Sequence, residues 1–417
     1  MTAKTHVLFL ATSANAEHGR GGRRRIVDVA NQARLHGFSA HLLCFLPFEQ
    51  VLHGPTFWRA GMASLSAEAN CPVRYAPMLP LTRFRLIEQI NLLWCGLVCW
   101  FFSLHTGSRI LYGHGTRAAG TALAAKKLRK DTHVIADVHG VGSAEYAYAT
   151  AVPANDRQLL HLQRDEQRVL SLADRVIFVS NRMRNYFERV MQRDFKSARI
   201  IPCAVDAKMM LNAENREDLR EKHGLKDRFV VAYVGSAVAY QQPSQMVSLF
   251  SQIHELIPQA FFLGITQSTQ VLRDLLSELE VPEHDYLLTS LAHEEVMETL
   301  QMGDVGLLLR EESLLNQVSS PTKFAEYLLA GLPVLLTEHA GDYGIIAQPK
   351  GLGHLVDLDA LQVDQPLVDF LRSVQSNRED YLKRCCNYAQ TELSWEHYGK
   401  VLAKLFEDLS SGFKRLN

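Results

Sequence analysis

The chain has 417 residues, enough for two domains of about 200 residues, each with its own core. A net charge of −1, with Lys, Arg, Asp and Glu mixed along the sequence, excludes a dedicated nucleic-acid binder, so any basic site is local. Seven cysteines, an odd number, lie scattered without metal-type or disulfide-framework spacing, Cys385 and Cys386 being neighbours, which points to a reducing, cytosolic compartment.

MTAKTHVLFLATS turns polar too quickly for a signal peptide and reads as a first strand. A helical stretch, GRRRIVDVANQARLHG, and a second strand, SAHLLCFL, follow it. The run Ile90 to Leu104, INLLWCGLVCWFFSL, is apolar all round but shorter than the roughly 20 residues that a membrane span needs. It reads either as a core helix beneath a sheet or as an interfacial helix; Arg83 and Arg85, just ahead of it, suit contact with anionic head groups. The strands RILYGHG, THVIADVHG, DRVIFVS and ARIIPCAV come next, with RAAGTALAAKKLRK and LLHLQRDEQRVLSLA as helices between them. Such alternation predicts a parallel sheet covered by helices, a Rossmann-like domain over residues 1–205.

Near Val205 the series stops at a polar helix, NAENREDLREKHG, and a second series begins at RFVVAYVGS. Its strands FVVAYVG, AFFLGIT, YLLTS, VGLLLR and LPVLLT predict a second Rossmann-like domain over 206–390. In 391–417, TELSWEHYGKVLAKLFEDL is amphipathic and far from the last strand, so it is expected to cross back to the first domain. The predicted class is α/β, two doubly wound domains facing across a cleft.

Ligands of open parallel sheets bind beyond the carboxyl ends of the strands, so the loops there carry the candidate chemistry. HGRGGRRR offers Gly21 and Gly22 for close backbone approach and Arg20, Arg23, Arg24 and Arg25 for positive field; it lacks GxGxxG spacing, and a solvated basic helix start is the alternative. VHGVGSAE places Asp137, His139 and Glu145 at a strand end. In the second series Gly235 and Ser236 supply amides after one strand and Arg310 follows another, in reach of a bidentate phosphate contact. SSPTKFAEYLLAGLPVLL, Ser319 to Leu336, joins a helix start at Pro321 to Thr322 and Lys323, whose amides and cation outline an anion site. Gly331 ends that helix before a buried strand. Glu326 lies three residues past the lysine on the same helix and can accept two ribose hydroxyls. Asp357 to Asp359 is a formal DxD in a loop and is discounted; no GxSxG, GKS or HExxH is present.

SPTKFAEYLLAGLPVLLT resembles the most characteristic segment of the retaining glycosyltransferases of family 4, and GRGG, DVHG, ADRVIFVS, RIIPCAVD, VAYVGS and GDYGIIAQPKGLGHLV stand in the family's order, so the resemblance covers nearly the entire chain. It implies the GT-B architecture and transfer of a sugar, with retention, from a UDP- or GDP-linked donor to a glycan or lipid-linked acceptor in polysaccharide or glycoconjugate synthesis, with no metal and no cofactor beyond the nucleotide sugar. By position, Glu326 resembles the glutamate that holds the donor ribose, and Lys323 with the amides of Ser319, Ser320 and Thr322 the group that holds the diphosphate. His139, with Asp137 beside it, resembles the histidine that reaches the donor sugar, and the Ser290-Leu291 turn the place of the base. A cytoplasmic protein, peripheral on the inner face of the membrane, is the expected setting.

Three departures bear on this. Val318 stands where the family often has a second glutamate, which leaves Asn316 or the Ser319 and Ser320 amides to grip the donor sugar. A basic pair usual after the first strand of the second domain is replaced within GSAVAYQQ, and the usual Asn-Gly before the hinge is Cys203-Ala204. Arg310 and Lys323 then carry more of the diphosphate charge. A nucleotide-sugar epimerase of the same fold and a non-catalytic nucleotide-sugar-binding homologue in an assembly complex are the alternatives.

Overall fold

The computed structural model describes residues 4–12, 21–79, 85–209, 214–358 and 363–413. It divides into two compact units, Met1–Pro202 with Tyr398–Asn417, and Cys203–His397.

The first unit is built on a seven-stranded sheet: β1 (His6–Thr12), β2 (Ser39–Pro47), β3 (Val73–Met78), β4 (Ile110–His114), β5 (His133–Val138), β6 (Arg175–Phe178) and β7 (Arg199–Ile200), in the order β3-β2-β1-β4-β5-β6-β7. Every pairing is parallel. Helices cover both faces, so the strands read as continuous apolar runs instead of alternating ones; Val7 to Ala11 are all buried. The C-terminal helix, Trp395–Phe413, starts in the second unit and continues into the first. There Phe406, fully buried, packs edge-on to Phe38 at 5.2 Å and to Tyr112 at 6.1 Å.

The helix that carries the apolar run of the first unit is longer than the run itself and covers Arg85–His105. The core reading holds for one side only, where Cys95 and Cys99 are buried; on the other, Leu86, Leu93 and Phe101 are 68%, 70% and 60% exposed. Arg83 lies outside the described residues.

The second unit has a six-stranded parallel sheet: β8 (Phe229–Val234), β9 (Ala260–Ile265), β10 (Tyr286–Thr289), β11 (Val305–Leu308), β12 (Val334–Leu336) and β13 (Gly353–Leu355), in the order β10-β9-β8-β11-β12-β13. The chain order reverses at β8, which has β9 on one side and β11 on the other. That reversal leaves a crevice beyond the carboxyl ends of β8 and β11, where their loops part in opposite directions.

The helix Thr322–Leu329 is fastened beside that crevice. Phe324, Ala325, Tyr327, Leu328 and Leu329 are buried, and the Tyr327 ring lies over Gly306 of β11, where any side chain would collide with it. The Tyr327 hydroxyl accepts a hydrogen bond from Val234 N at 3.0 Å and donates to Leu307 O at 3.0 Å, tying the helix to β8 and β11 together. Its C-terminus closes as a Schellman motif: Gly331, at φ +80°, donates to Leu328 O at 2.9 Å and Leu332 to Tyr327 O at 2.8 Å. Pro321 occupies the N-cap position, one residue ahead of the place expected for it.

Candidate active site

In the second unit the loops after β8 and β11 and the start of Thr322–Leu329 bring two cations together. Lys323 Nζ lies 4.4 Å from the centre of the Tyr233 ring, 3.3 Å from the Tyr233 hydroxyl, and on Gln241 Oε1. The Tyr233 hydroxyl is itself 2.7 Å from Ser236 O and 2.9 Å from Gln241 Oε1, so the loop after β8 is folded around the lysine. Gly235, at φ +122°, is required at this point, because a Cβ would overlap the Cε and Nζ of Lys323.

Arg310, 8% exposed, is set at the end of β11 by a two-way clasp: its N–H donates to Thr337 Oγ1 at 3.0 Å, and that hydroxyl donates to Arg310 O at 2.8 Å. Its guanidinium lies over the Tyr240 ring, 5.2 Å from the centre, and its Nε is buried without a hydrogen-bond partner. Among the described residues neither Arg310 nor Lys323 has a carboxylate at ion-pair distance. Burial first, and then the charge of Arg310, hold the Lys323 ammonium well below its ordinary pKa, with Glu326 opposing weakly. Burial lowers Arg310 as well. Two neighbouring like charges in a partly dry crevice are stabilised by a polyanion.

Several residues expected to touch a ligand are engaged elsewhere. Asn316, fully buried, donates both amide hydrogens to backbone, to Glu311 O at 3.0 Å and Tyr240 O at 3.3 Å. It clamps the loops after β8 and β11 to each other, which positions Tyr240 under Arg310; gripping a sugar is not open to those hydrogens. Ser319 Oγ donates to Asn316 O at 2.8 Å, and Ser320 Oγ accepts from Cys203 N at 3.0 Å. Both hydroxyls are therefore internal ties and the Ser319 N–H is spent on Asn316 O at 3.2 Å, which leaves the Ser320 amide and the first N–H groups of the helix, Thr322 and Lys323, for an anion. Val318 is buried and offers no polar side chain. Glu326 is half-buried one turn past Lys323. Ser290 is exposed and Leu291 half-buried after β10, two strands from β8.

In the first unit the basic cluster is neutralised from within, against the expectation of a free positive loop. Gly21 and Gly22 open the helix Gly21–Leu35 and do not form a loop, while Arg20 lies outside the described residues. Arg23 pairs with Glu68 at 2.6 Å, Arg24 with Asp28 at 3.0 Å, and Arg25 with Asp137 at 2.7 Å. Asp137 needs correction as a catalytic candidate. It is fully buried, and Arg25 occupies both its oxygens, at 2.9 and 2.7 Å. Burial alone would raise its pKa, but Arg25 and the His114 imidazole at 3.4 Å hold it far below the carboxylate range. Arg25 also donates to Ile201 O and Pro202 O, each at 3.0 Å, so the pair fastens the end of this unit's main segment.

His139 sits just past β5, half-buried, with its Nε2 sealed from solvent and without a hydrogen-bond partner. Burial pushes its pKa down to about 4, Asp137 opposing and Arg25 and His114 adding to the drop, so near neutral pH it is an uncharged imidazole. Its loop is held by a residue that sequence reasoning missed: Glu166 accepts from Ser143 N at 2.8 Å and Ser143 Oγ at 2.7 Å. Tyr233, Gln241 and Thr337 were missed likewise. A tyrosine at the end of a β-run and two uncharged polar residues carry no signal of their own.

Residues 19–208 match the model of the family described as Glycosyltransferase Family 4. Ser319 to Leu336, where the sequence resemblance is densest, lies beyond the matched stretch. Three solved structures share the architecture. HepE of Anabaena in complex with UDP has 14% identity, a TM-score of 0.69, and coverage of 97% of this chain and 100% of that one. Sucrose-phosphate synthase of Thermosynechococcus elongatus has 15% identity, a TM-score of 0.70, and coverage of 98% and 100%. WaaG, a glycosyltransferase involved in lipopolysaccharide biosynthesis, has 14% identity, a TM-score of 0.65, and coverage of 96% and 99%. Among curated proteins none matches the chain. The fold is GT-B, two Rossmann-like domains, and together with the family match it supports a glycosyltransferase.

Proposed function

We propose that the protein transfers a sugar, with retention of anomeric configuration, from a UDP- or GDP-linked donor to a glycan or lipid-linked acceptor. One observation carries this reading: Lys323 and Arg310 stand side by side at the point where the second sheet reverses, without a carboxylate between them. The Gly235 N–H is spent on Ile265 O at 2.9 Å, so a donor diphosphate in that crevice would meet Lys323, Arg310 and the amides of Ser236, Thr322 and Lys323, and those groups would stabilise the charge that develops as the sugar leaves. Glu326 would take the ribose hydroxyls. The turn at Ser290 and Leu291, two strands or about 10 Å from β8, is at a suitable reach for the base. His139, a neutral imidazole, is our candidate for the contact to the donor sugar during transfer, with Asp137 and Arg25 acting on its position.

A solved structure of the same architecture supports the donor class, HepE being described with UDP and with UDP-glucose. The test is a titration of UDP, GDP and their sugars by calorimetry, followed by turnover of the donor that binds, with chelator present. Saturable binding of one nucleoside diphosphate and chelator-resistant transfer to a glycan acceptor are expected. Absence of nucleotide binding would overturn the reading; binding without turnover would leave a non-catalytic sugar-nucleotide binder, and isomerisation without an acceptor an epimerase.

A further inference from the structure

The helix Arg85–His105 lays one side on the first unit, where Cys95 and Cys99 are buried in the core, and turns the other to solvent. Polar groups fasten the inner side: Asn91 Nδ2 donates to Leu79 O at 3.0 Å and its Oδ1 accepts from Leu79 N at 3.1 Å, Glu88 meets His161 at 2.9 Å, and Ser103 O accepts from Arg129 at 2.7 Å. These ties run from the first turn to the last, so the helix lies along the unit. Its outer face is Leu86, Ile90, Leu93, Leu97, Phe101 and Leu104, between 47% and 70% exposed. They recur every three or four residues and form one stripe along a helix about 31 Å long. Residues 89–104 contain no Asp, Glu, Lys or Arg. An unbroken apolar stripe of that length on a water-facing surface marks an interaction site.

Charge indicates what covers it. At the carboxyl end Arg129, which also donates to Ser108 O at 3.0 Å, stands with Arg109 and the exposed Lys127 and Lys130, and the acid paired there is Asp131, shared by Arg109 and Arg129 at 3.2 Å each. A second copy laid parallel on the stripe would set these like charges together, whereas an anionic lipid surface meets the apolar stripe and the basic cluster beside it at once.

We propose that this face docks the protein on an anionic phospholipid bilayer, with the helix in the plane of the interface and its apolar stripe among the upper acyl chains. The inference rests on the surface of the first unit and is independent of the reaction proposed above.

The experiment is co-sedimentation of the full chain with vesicles of phosphatidylcholine, alone or mixed with phosphatidylglycerol, at low and high salt, beside sedimentation velocity without lipid. Wild type is expected to pellet with the phosphatidylglycerol vesicles and to be released by salt, because the basic cluster acts within a Debye length. Leu93→Gln with Phe101→Gln should lower the partition coefficient by at least about tenfold, with melting temperature and nucleotide binding unchanged because both side chains are exposed. Lys127→Gln with Lys130→Gln should lower it several-fold on phosphatidylglycerol vesicles alone. Wild type left in the supernatant, or a Leu93/Phe101 variant that pellets as wild type does, would overturn the proposal. So would a lipid-free homodimer that the same variant splits, which would make the stripe a subunit interface.

Discussion

Replacing Lys323 by methionine separates a ligand-binding cation from a structural one, because the two roles predict opposite signs. Methionine can follow the aliphatic stem over the Tyr233 ring, and the single proton of the Tyr233 hydroxyl stays in reach of Ser236 O at 2.7 Å and Gln241 Oε1 at 2.9 Å. The folded-state pKa of Lys323 is held well below its ordinary value by burial and by Arg310. The folded state therefore binds this proton less readily than the unfolded chain. The charged lysine opposes folding at all pH values below its folded pKa, and the opposition is relieved as pH rises through that value towards about 10.4. Lys323→Met should consequently melt no lower than wild type at pH 7, with any gain shrinking as pH rises. Its affinity for the nucleoside diphosphate should fall, since a charge-assisted contact contributes about 1.5–3 kcal/mol, roughly ten- to a hundred-and-fiftyfold in Kd. Calorimetric titration and thermal melting on one preparation read both effects. Unchanged affinity, or melting several degrees lower, would refute the argument that the crevice holds its cations for an anion.

Three other residues carry expected outcomes. Arg25→Met, which strands the buried Asp137 carboxylate, should cost about 3–5 kcal/mol in denaturant unfolding, and the double change with Asp137→Leu should recover much of it; a single-variant loss below about 1 kcal/mol would contradict the structural role. His139, whose folded pKa is about 4, makes the folded state bind fewer protons than the unfolded chain between about pH 6.5 and pH 4. Its contribution to stability is complete above that window and declines as pH falls through it, a slope that His139→Gln should flatten, while His139→Ala should slow transfer by about a hundred- to a thousandfold with donor affinity near that of wild type. Full transfer by His139→Ala would remove it from the chemistry. Glu326→Gln should weaken donor binding through the ribose, so that wild type and variant differ with a ribose donor and converge with a deoxyribose one; equal losses on removing the hydroxyls would show that Glu326 does not hold them.

Much of the fold was legible because fully buried parallel strands announce themselves locally. HVLFLAT, FVVAYVG and AFFLGIT are apolar runs bounded by polar or glycine-containing turns, and the helix before LPVLL needs Gly331 because only a residue at ease with positive φ closes its end. Lys323, Arg310 and Gly235 were legible as candidates for the same reason, as polar groups on loops that must follow strands. Their companions were not. The Arg23, Arg24 and Arg25 run looks like a free positive patch in sequence, and only packing supplies Glu68, Asp28 and Asp137 to neutralise it, two of those partners lying 45 and 112 residues away. Asn316 appears in sequence as a donor-sugar contact, yet it is spent on two backbone carbonyls; Ser320 is spent on the Cys203 amide. The apolar run at Ile90 to Leu104 was compatible with a core or an interface, since periodicity records which residues are apolar and not which face the chain turns inward. Sequence determines the inventory of charges, turns and apolar stripes; which charge meets which, and which stripe stays uncovered, follows from long-range packing, where each side chain's partners are chosen by the whole unit at once.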